Sequence, residues 1–301
     1  RWRAYPNEAA TSGFHDYDGL LPTASEQAIA DRVSELRDSL AEAEAVDPPT
    51  LDEQQRFDRE LLISGLRYEL FDLTEWRTYR ANPMALMYPI EVTNYLDRSY
   101  APVEQRLASL AELLRGVPAY LDSIRALLVP PFAKPVLEQS IEAYQGIAAF
   151  YRGDLAAFVT EHASGALASE VSAAADVAAA AVDEMAAYLE LHRAMATDDF
   201  AIGADIYAGM LLHGEMVSIP IAEIEVAGEQ ELVRNQALVR EAAEHIAPGA
   251  PVAEAIAMVA RDHPTADRLL DETRAMLEEL RAFVVDENVA SVVSDVCAEV
   301  R

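Results

Sequence analysis

Apolar residues recur along most of this chain at three- and four-residue steps, the period of a helix that buries one face. Ile29, Val33, Leu36 and Leu40 form the first such series, behind a Thr23 and Glu26 pair at capping-box spacing and ahead of Pro48-Pro49. The grammar then repeats. Thr50 and Glu53 are placed to open a second helix, whose face carries Phe57, Leu61, Leu62 and Leu66 and which runs towards Trp76. Two helices joined by so short a turn are expected to pack antiparallel. From Tyr79 to Arg98 the period fails, because Asn82-Pro83, Pro89 and several aromatics interrupt it. That stretch predicts an ordered loop or short helical turns.

Helix resumes near Pro102 with Val103, Leu107, Leu110 and Leu114, is expected to break at Gly116-Val117-Pro118, and continues through Leu121, Ile124 and Leu128 to Pro130-Pro131. A long helix is predicted from Pro135 to Ala163 on Val136, Ile141, Tyr144, Ile147, Tyr151, Leu155 and Phe158. Alanine dominates from Ala166 to Ala196, which reads as a buried helix with Val171, Val182, Met185, Leu189 and Met195 as its larger core residues. Asp198-Asp199-Phe200 punctuates the chain before a short helix from Ile202 to Leu212, ended near Gly214. Further helices are expected from Pro220 to Ile246, from Pro251 to Ala260, and from Pro264 through Leu269, Leu270, Met276, Leu277, Leu280 and Phe283. In the tail the two periods compete. Val289, Val292, Val293, Val296 and Val300 fit a helical face, whereas Val296, Ala298 and Val300 alternate with Cys297, Glu299 and Arg301 as a strand would. With neither alternating βα units nor a constant repeat, the pattern predicts an all-α fold: a single domain over residues 1–301, built as a large array of long antiparallel helices.

Composition narrows the class. At 301 residues, 51% hydrophobic and 25% charged, the chain is too apolar for disorder and long enough to bury a core. A net charge of -29 argues against nucleic acid or an anionic membrane as partner, since both select a positive footprint. Lys134 is the single lysine, and no face gathers the arginines. Cys297 is the single cysteine, which excludes an intrachain disulfide and a cysteine-based zinc site. No stretch approaches the roughly 20 uninterrupted apolar residues of a membrane span, and no signal peptide is visible, so a soluble, cytoplasmic protein is expected. Because it starts at Arg1 rather than methionine, the chain is expected to be a trimmed or partial protein.

Candidate chemistry is sparse. The six histidines, at 15, 162, 192, 213, 245 and 263, include no HExxH pair and no glutamate three residues before a histidine. Glu241 with His245 and His263 with Asp267 are four apart, a spacing common on solvated helix faces. GxSxG, GxxxxGK[ST] and GxGxxG are also missing. Adjacent acids such as Asp198-Asp199 and Glu278-Glu279 read as solvated surface. No catalytic, cofactor-binding or metal-ligating residue is therefore assigned in this chain.

Several phrases, taken in order, carry a resemblance. They are Asp16-Tyr17-Asp18-Gly19-Leu20, Phe57-Asp58-Arg59-Glu60-Leu61-Leu62, Asn82-Pro83, Asp199-Phe200-Ala201-Ile202-Gly203 leading into Tyr207, Gly228 to Leu232, Ile246-Ala247-Pro248-Gly249, Asp262-His263-Pro264 and Arg281-Ala282-Phe283-Val284. Together they resemble the bacterial domain of unknown function 885 family, whose members look like gluzincin-type zinc metallopeptidases. The resemblance implies that HExxH, the further glutamate ligand and the zinc lie in a C-terminal half outside this sequence. This chain would then be a non-catalytic helical half forming one wall of a cleft for a peptide-like substrate, with the catalytic half as its partner. Asn82, Asp199 and Phe200 are the candidates for facing that cleft, since they sit where helical periodicity breaks and loops present side chains. The competing reading makes them turn and capping residues. The resemblance also tips the tail from Val289 to Arg301 towards an extended strand, poorly paired within the chain. A different class of function is a self-contained acidic helical binding or scaffold protein that favours basic peptide partners.

Overall fold

In the computed structural model residues 2–294, 296, 298 and 300 are described, and helices account for most of them. In chain order they are α1 (Pro6–Thr11), α2 (Glu26–Ala45), α3 (Glu53–Phe71), α4 (Thr78–Ala81), α5 (Thr93–Asp97), α6 (Val103–Leu127), α7 (Lys134–Phe150), α8 (Ala156–His162), α9 (Gly165–Leu191), α10 (Ala204–Gly214), α11 (Ile221–Ile246), α12 (Val252–Val259) and α13 (Leu269–Asp286). Strands are absent among the described residues, where one isolated parallel bridge joins Ala133 and Thr197. The all-α class follows directly from the three- and four-residue period. Within the span that the sequence reads as one domain, the backbone forms two compact units, Arg1–Ile219 and Pro220–Arg301.

The first unit opens on the predicted hairpin, with both caps displaced. Ser25 rather than Thr23 caps α2, its hydroxyl accepting from the Ala28 N–H at 3.1 Å. Asp52 rather than Thr50 caps α3, in a box where Asp52 accepts from Gln55 N and the Gln55 side chain accepts from Asp52 N. Thr50 is spent on the connecting turn, donating to Asp47 O. The buried face of α3 is also displaced. Ile63 and Phe71 are buried, whereas Phe57 and Leu62 are each 56% exposed. Arg59 donates to the carbonyls of Ala43 and Glu44, fixing the rotation of α3 against α2. Arg32 on α2 grips both carboxylate oxygens of Glu69 on α3 at 2.7 and 2.9 Å, and the Tyr5 hydroxyl donates to the same carboxylate.

α6, α7 and α9 make the main core. α6 runs unbroken through Gly116-Val117-Pro118, where a break is expected from sequence. Pro118 removes one backbone donor, at a cost near 3 kcal/mol. Leu113, Leu114, Val117, Tyr120, Leu121 and Ile124 are all buried around it, and full burial of such side chains contributes about 1.5–3 kcal/mol each, so packing wins. The run predicted from Pro135 to Ala163 is α7 and α8 joined by the π-turn Tyr151–Leu155. α9 is buried on one face only, through Val171, Ala174, Ala178, Val182, Met185 and Leu189. Met195, expected in the core, lies beyond the end of α9 and is 57% exposed. Residues 165–195 are, among the described residues, the one helical stretch long and apolar enough to cross a membrane, with mean hydropathy 1.3. The buried face of α9 packs against α6 and α7 instead.

In the second unit Pro220 and Pro251 stand at the N-cap of α11 and α12, one position before the expected first turn. The helix expected from Pro264 begins at Leu269, because Arg268 N donates to Thr265 O and closes a turn first. After Asn288, at φ 52°, the backbone leaves helical geometry. The described tail residues from Val289 onward are neither helix nor paired strand, while Cys297, Glu299 and Arg301 lie outside the described residues.

Candidate functional site

The predicted cleft candidates lie on loops at one end of the α6, α7 and α9 bundle. The connection from α6 to α7 is a short strap whose backbone is bonded on two sides. Val129 N donates to Arg80 O at 2.9 Å, Thr197 N donates to Phe132 O at 3.0 Å, and Lys134 N donates to Thr197 O at 2.7 Å. Phe132 anchors the strap, 1% exposed, with the His192 ring edge-on at 5.6 Å. Asn82 lies two residues beyond Arg80, and Asp199 two beyond Thr197. Five extended residues span at most about 17 Å, so both loops sit at the same end of the bundle.

The side chains at that end differ in what they are free to do. Asn82 caps the C-terminus of α4, its N–H donating to Thr78 O, and its Oδ1 accepts from Met84 N at 2.9 Å. This Asx-type turn occupies the amide. Asp199 is exposed, and Phe200 is 66% exposed, with a backbone bond from Phe200 N to Asp198 O.

Behind Asn82 the irregular segment is pinned by tyrosines, an arrangement that the period alone does not show. Tyr144 of α7 donates to Pro83 O at 2.9 Å, Tyr120 of α6 donates to Leu86 O at 2.8 Å, and Tyr151 donates to Ile90 O. Asn7 adds donations to Tyr88 O and Glu91 O. Burial pushes the hydroxyls of Tyr120, Tyr144 and Tyr151 well above the ordinary tyrosine range. The sequence signal that could have revealed this is the placement of Tyr120, Tyr144 and Tyr151 on core-facing positions, where a buried hydroxyl must find an acceptor.

A second polar cluster surrounds the Asp16-Tyr17-Asp18-Gly19-Leu20 phrase, which helps to carry the family resemblance but matches no catalytic or metal-binding motif that would single out its partners. His15 Nδ1 lies 3.2 and 3.3 Å from the Asp18 carboxylate, and its ring stacks on Tyr100 at 3.6 Å and 5°. Burial, then the facing Asp18 carboxylate, pushes the Tyr100 hydroxyl up. Gly19 follows at φ +83° against α6, where a Cβ would stand 2.9 Å from Ser109 O. Its N–H donates to the Tyr95 hydroxyl at 2.8 Å, and burial raises that phenol to about 12 even though the donation opposes the shift. Arg106 is 6% exposed and donates to the carbonyls of Tyr95, Leu96 and Ala101.

Neither cluster forms a catalytic constellation with a nucleophile, and the described residues contain no group of three or more His, Cys, Asp or Glu able to hold a metal. A cavity of about 220 Å³ lies between Ile90, Val92, Gly146 and Phe150, and its one acid, Glu91, accepts from the backbone and hydroxyl of Thr93. It is apolar and small for a substrate cleft.

No curated protein matches the chain. Among solved structures it is similar to one from Shewanella oneidensis described as a "putative lipoprotein of unknown function", with a TM-score of 0.74 and 19% identity over 97% of this chain and 56% of that one. At that identity the likeness is one of fold, and the chain spans little more than half the length of that relative. Residues 6–301 match the family described as bacterial protein of unknown function (DUF885), and the chain belongs to that family.

Proposed function

We propose that this chain is the non-catalytic helical half of a zinc metallopeptidase-like hydrolase and forms one wall of its substrate cleft. One observation carries the reading: nearly the whole chain corresponds to just 56% of a longer relative, so the same helical fold there accompanies a further large portion. The family resemblance assigns the zinc motif to that portion. The described residues of this chain do not fit a zinc site. Their part is to shape and position: the strap end of the bundle presents Asp199 and Phe200 to a peptide-like substrate, and Asn82 holds a turn at the same end.

Zinc content and peptide hydrolysis, measured on the full-length protein and on residues 1–301 alone, test this division. The expected result is stoichiometric zinc and chelator-sensitive hydrolysis in the full-length protein, and neither in the 301-residue chain. Stoichiometric zinc in the shorter chain would overturn the reading. A stop codon directly after Arg301 would replace it with the acidic scaffold. Cytoplasmic placement belongs to the same proposal, and recovery of the native protein in a washed membrane pellet would overturn that part.

A further inference from the structure

α13 is amphipathic and buries none of its residues. Leu269, Met276, Leu280 and Phe283 follow one another at steps of seven, four and three, which places them along one side of the helix. They are 50%, 51%, 51% and 56% exposed. α11 repeats the pattern, with Leu232, Val239 and Ile246 at steps of seven and Ala243 as its one buried residue. A helix of this kind draws most of its stability from packing that stripe against a neighbour.

The tail lies back along α13. Arg281 donates to Ser294 O at 2.9 Å and Arg274 to Val300 O at 3.0 Å. Val293 and Val296 are 94% and 84% exposed beside that helix. We propose that the Leu269, Met276, Leu280 and Phe283 face of α13 is the surface on which the remaining portion of the longer polypeptide docks. The inference rests on the half-enzyme reading and names the joint between the halves.

Two observations select this occupant. The portion matched here is just 56% of the solved relative of the same fold, and a covalently linked segment meets the stripe at high effective concentration. Charge argues against a second copy. Glu272, Glu279 and Asp286 recur at seven-residue steps along one flank of the stripe, so two antiparallel copies would set these acids against each other. The other flank is apolar, with Leu270, Leu277 and Val284, while Arg274 and Arg281 lie nearer the far side of the helix and are engaged by the tail. The complementary occupant is therefore an apolar segment with basic residues opposite the acidic flank.

The test uses the full-length protein carrying Cys297→Ser and Leu280→Cys, labelled with a benzophenone maleimide, irradiated and mapped by mass spectrometry. Met276→Cys serves as a second stripe position if the first variant misfolds, and Glu278→Cys on the opposite side of α13 is the control. Cross-links from position 280 or 276 to residues beyond Arg301, at least tenfold enriched over those from 278, are the expected result. Cross-links confined to residues 1–219, or to a second copy in a covalent dimer, overturn the proposal. So does equal labelling from both sides of the helix. The readout uses neither zinc nor turnover: cross-links beyond Arg301 in a protein without zinc would keep the joint and sink the peptidase reading, and the opposite outcome would do the reverse.

Discussion

Replacing Tyr144 with phenylalanine removes one oxygen from a fully buried ring and leaves the Pro83 carbonyl without the donor it has at 2.9 Å. The shape of the side chain is kept, so no cavity forms and the change isolates the hydrogen bond. Leaving a buried carbonyl unpaired costs about 1–3 kcal/mol, offset in part because the phenol itself no longer has to be desolvated, so a net loss near 1–2 kcal/mol is expected. Tyr120→Phe should cost a similar amount through Leu86 O. The two acceptors sit on different peptide units, so the double variant should lose close to the sum. Urea unfolding followed by tryptophan fluorescence reads this cleanly, since Trp2 and Trp76 both lie in the first unit and residues 220–301 contain neither tryptophan nor tyrosine. With a urea slope near 2–3 kcal/mol/M for a unit of this size, each single change should lower the midpoint by about 0.5 M. A midpoint unchanged for Tyr144→Phe, with no new cleavage by protease between residues 82 and 92, would refute the claim that the tyrosines hold this segment in place.

Gly209→Ala should destabilise the first unit by about 1–3 kcal/mol in the same assay, because a Cβ there would stand 2.4 Å from the Phe71 ring, whereas Gly65→Ala, which meets nothing within 4 Å, should stabilise it. Glu69→Gln should cost about 1–3 kcal/mol by weakening the two-pronged Arg32 pair, and a variant within experimental error of the parent would show that the pair contributes nothing net. Tyr5, Tyr95, Tyr100, Tyr120, Tyr144 and Tyr151 are all raised above the ordinary 10.0 in the folded protein. Their protonated forms are thus favoured by folding, so their contribution is complete below pH 10 and is lost as pH rises through the folded values, about 12 for Tyr95. The share of the 295 nm absorbance owed to these six of the twelve tyrosines should therefore appear together with unfolding, and complete ionisation centred at 10 in a protein that stays folded would contradict the burial argument. In the full-length protein, Phe200→Ala should raise KM for a peptide substrate with little effect on kcat, and unchanged kinetics would remove Phe200 from the cleft.

How much of this was legible in the sequence depends on what each residue had to specify. Helix identity was legible because it needs only the spacing of apolar groups, and α6, α7, α9 and α13 all follow theirs. Helix starts were less so: Ser25 and Asp52 won the capping positions from Thr23 and Thr50, each two residues away and each chemically able to cap. Pro118 was misread because the local cost of a proline is visible in sequence while the buried neighbours that outweigh it are contributed by other helices. The loop candidates were legible as breaks in period, yet the turn that consumes the Asn82 amide depends on the conformation at Met84.

The two units also show what periodicity leaves open about function. In α6 the apolar stripe points at α9 and is buried to the last methyl, with Leu107, Leu110 and Leu114 at 0% exposure. In α13 a stripe of the same spacing meets water along its whole length. Identical patterns thus specify which face wants a neighbour without specifying who supplies it. If the exposed stripe were ordinary surface, polar substitution there would be free, and natural helices carry scattered rather than aligned apolar residues on such faces. Leu280→Glu in the full-length protein separates the two cases. Docking predicts destabilisation of several kcal/mol through an unpaired charge in an apolar joint, whereas solvent exposure predicts a change within about 0.5 kcal/mol. Chemical denaturation followed by circular dichroism, which sees α13 where tryptophan does not, distinguishes them, and the smaller value would leave the second unit without a reason for its apolar face.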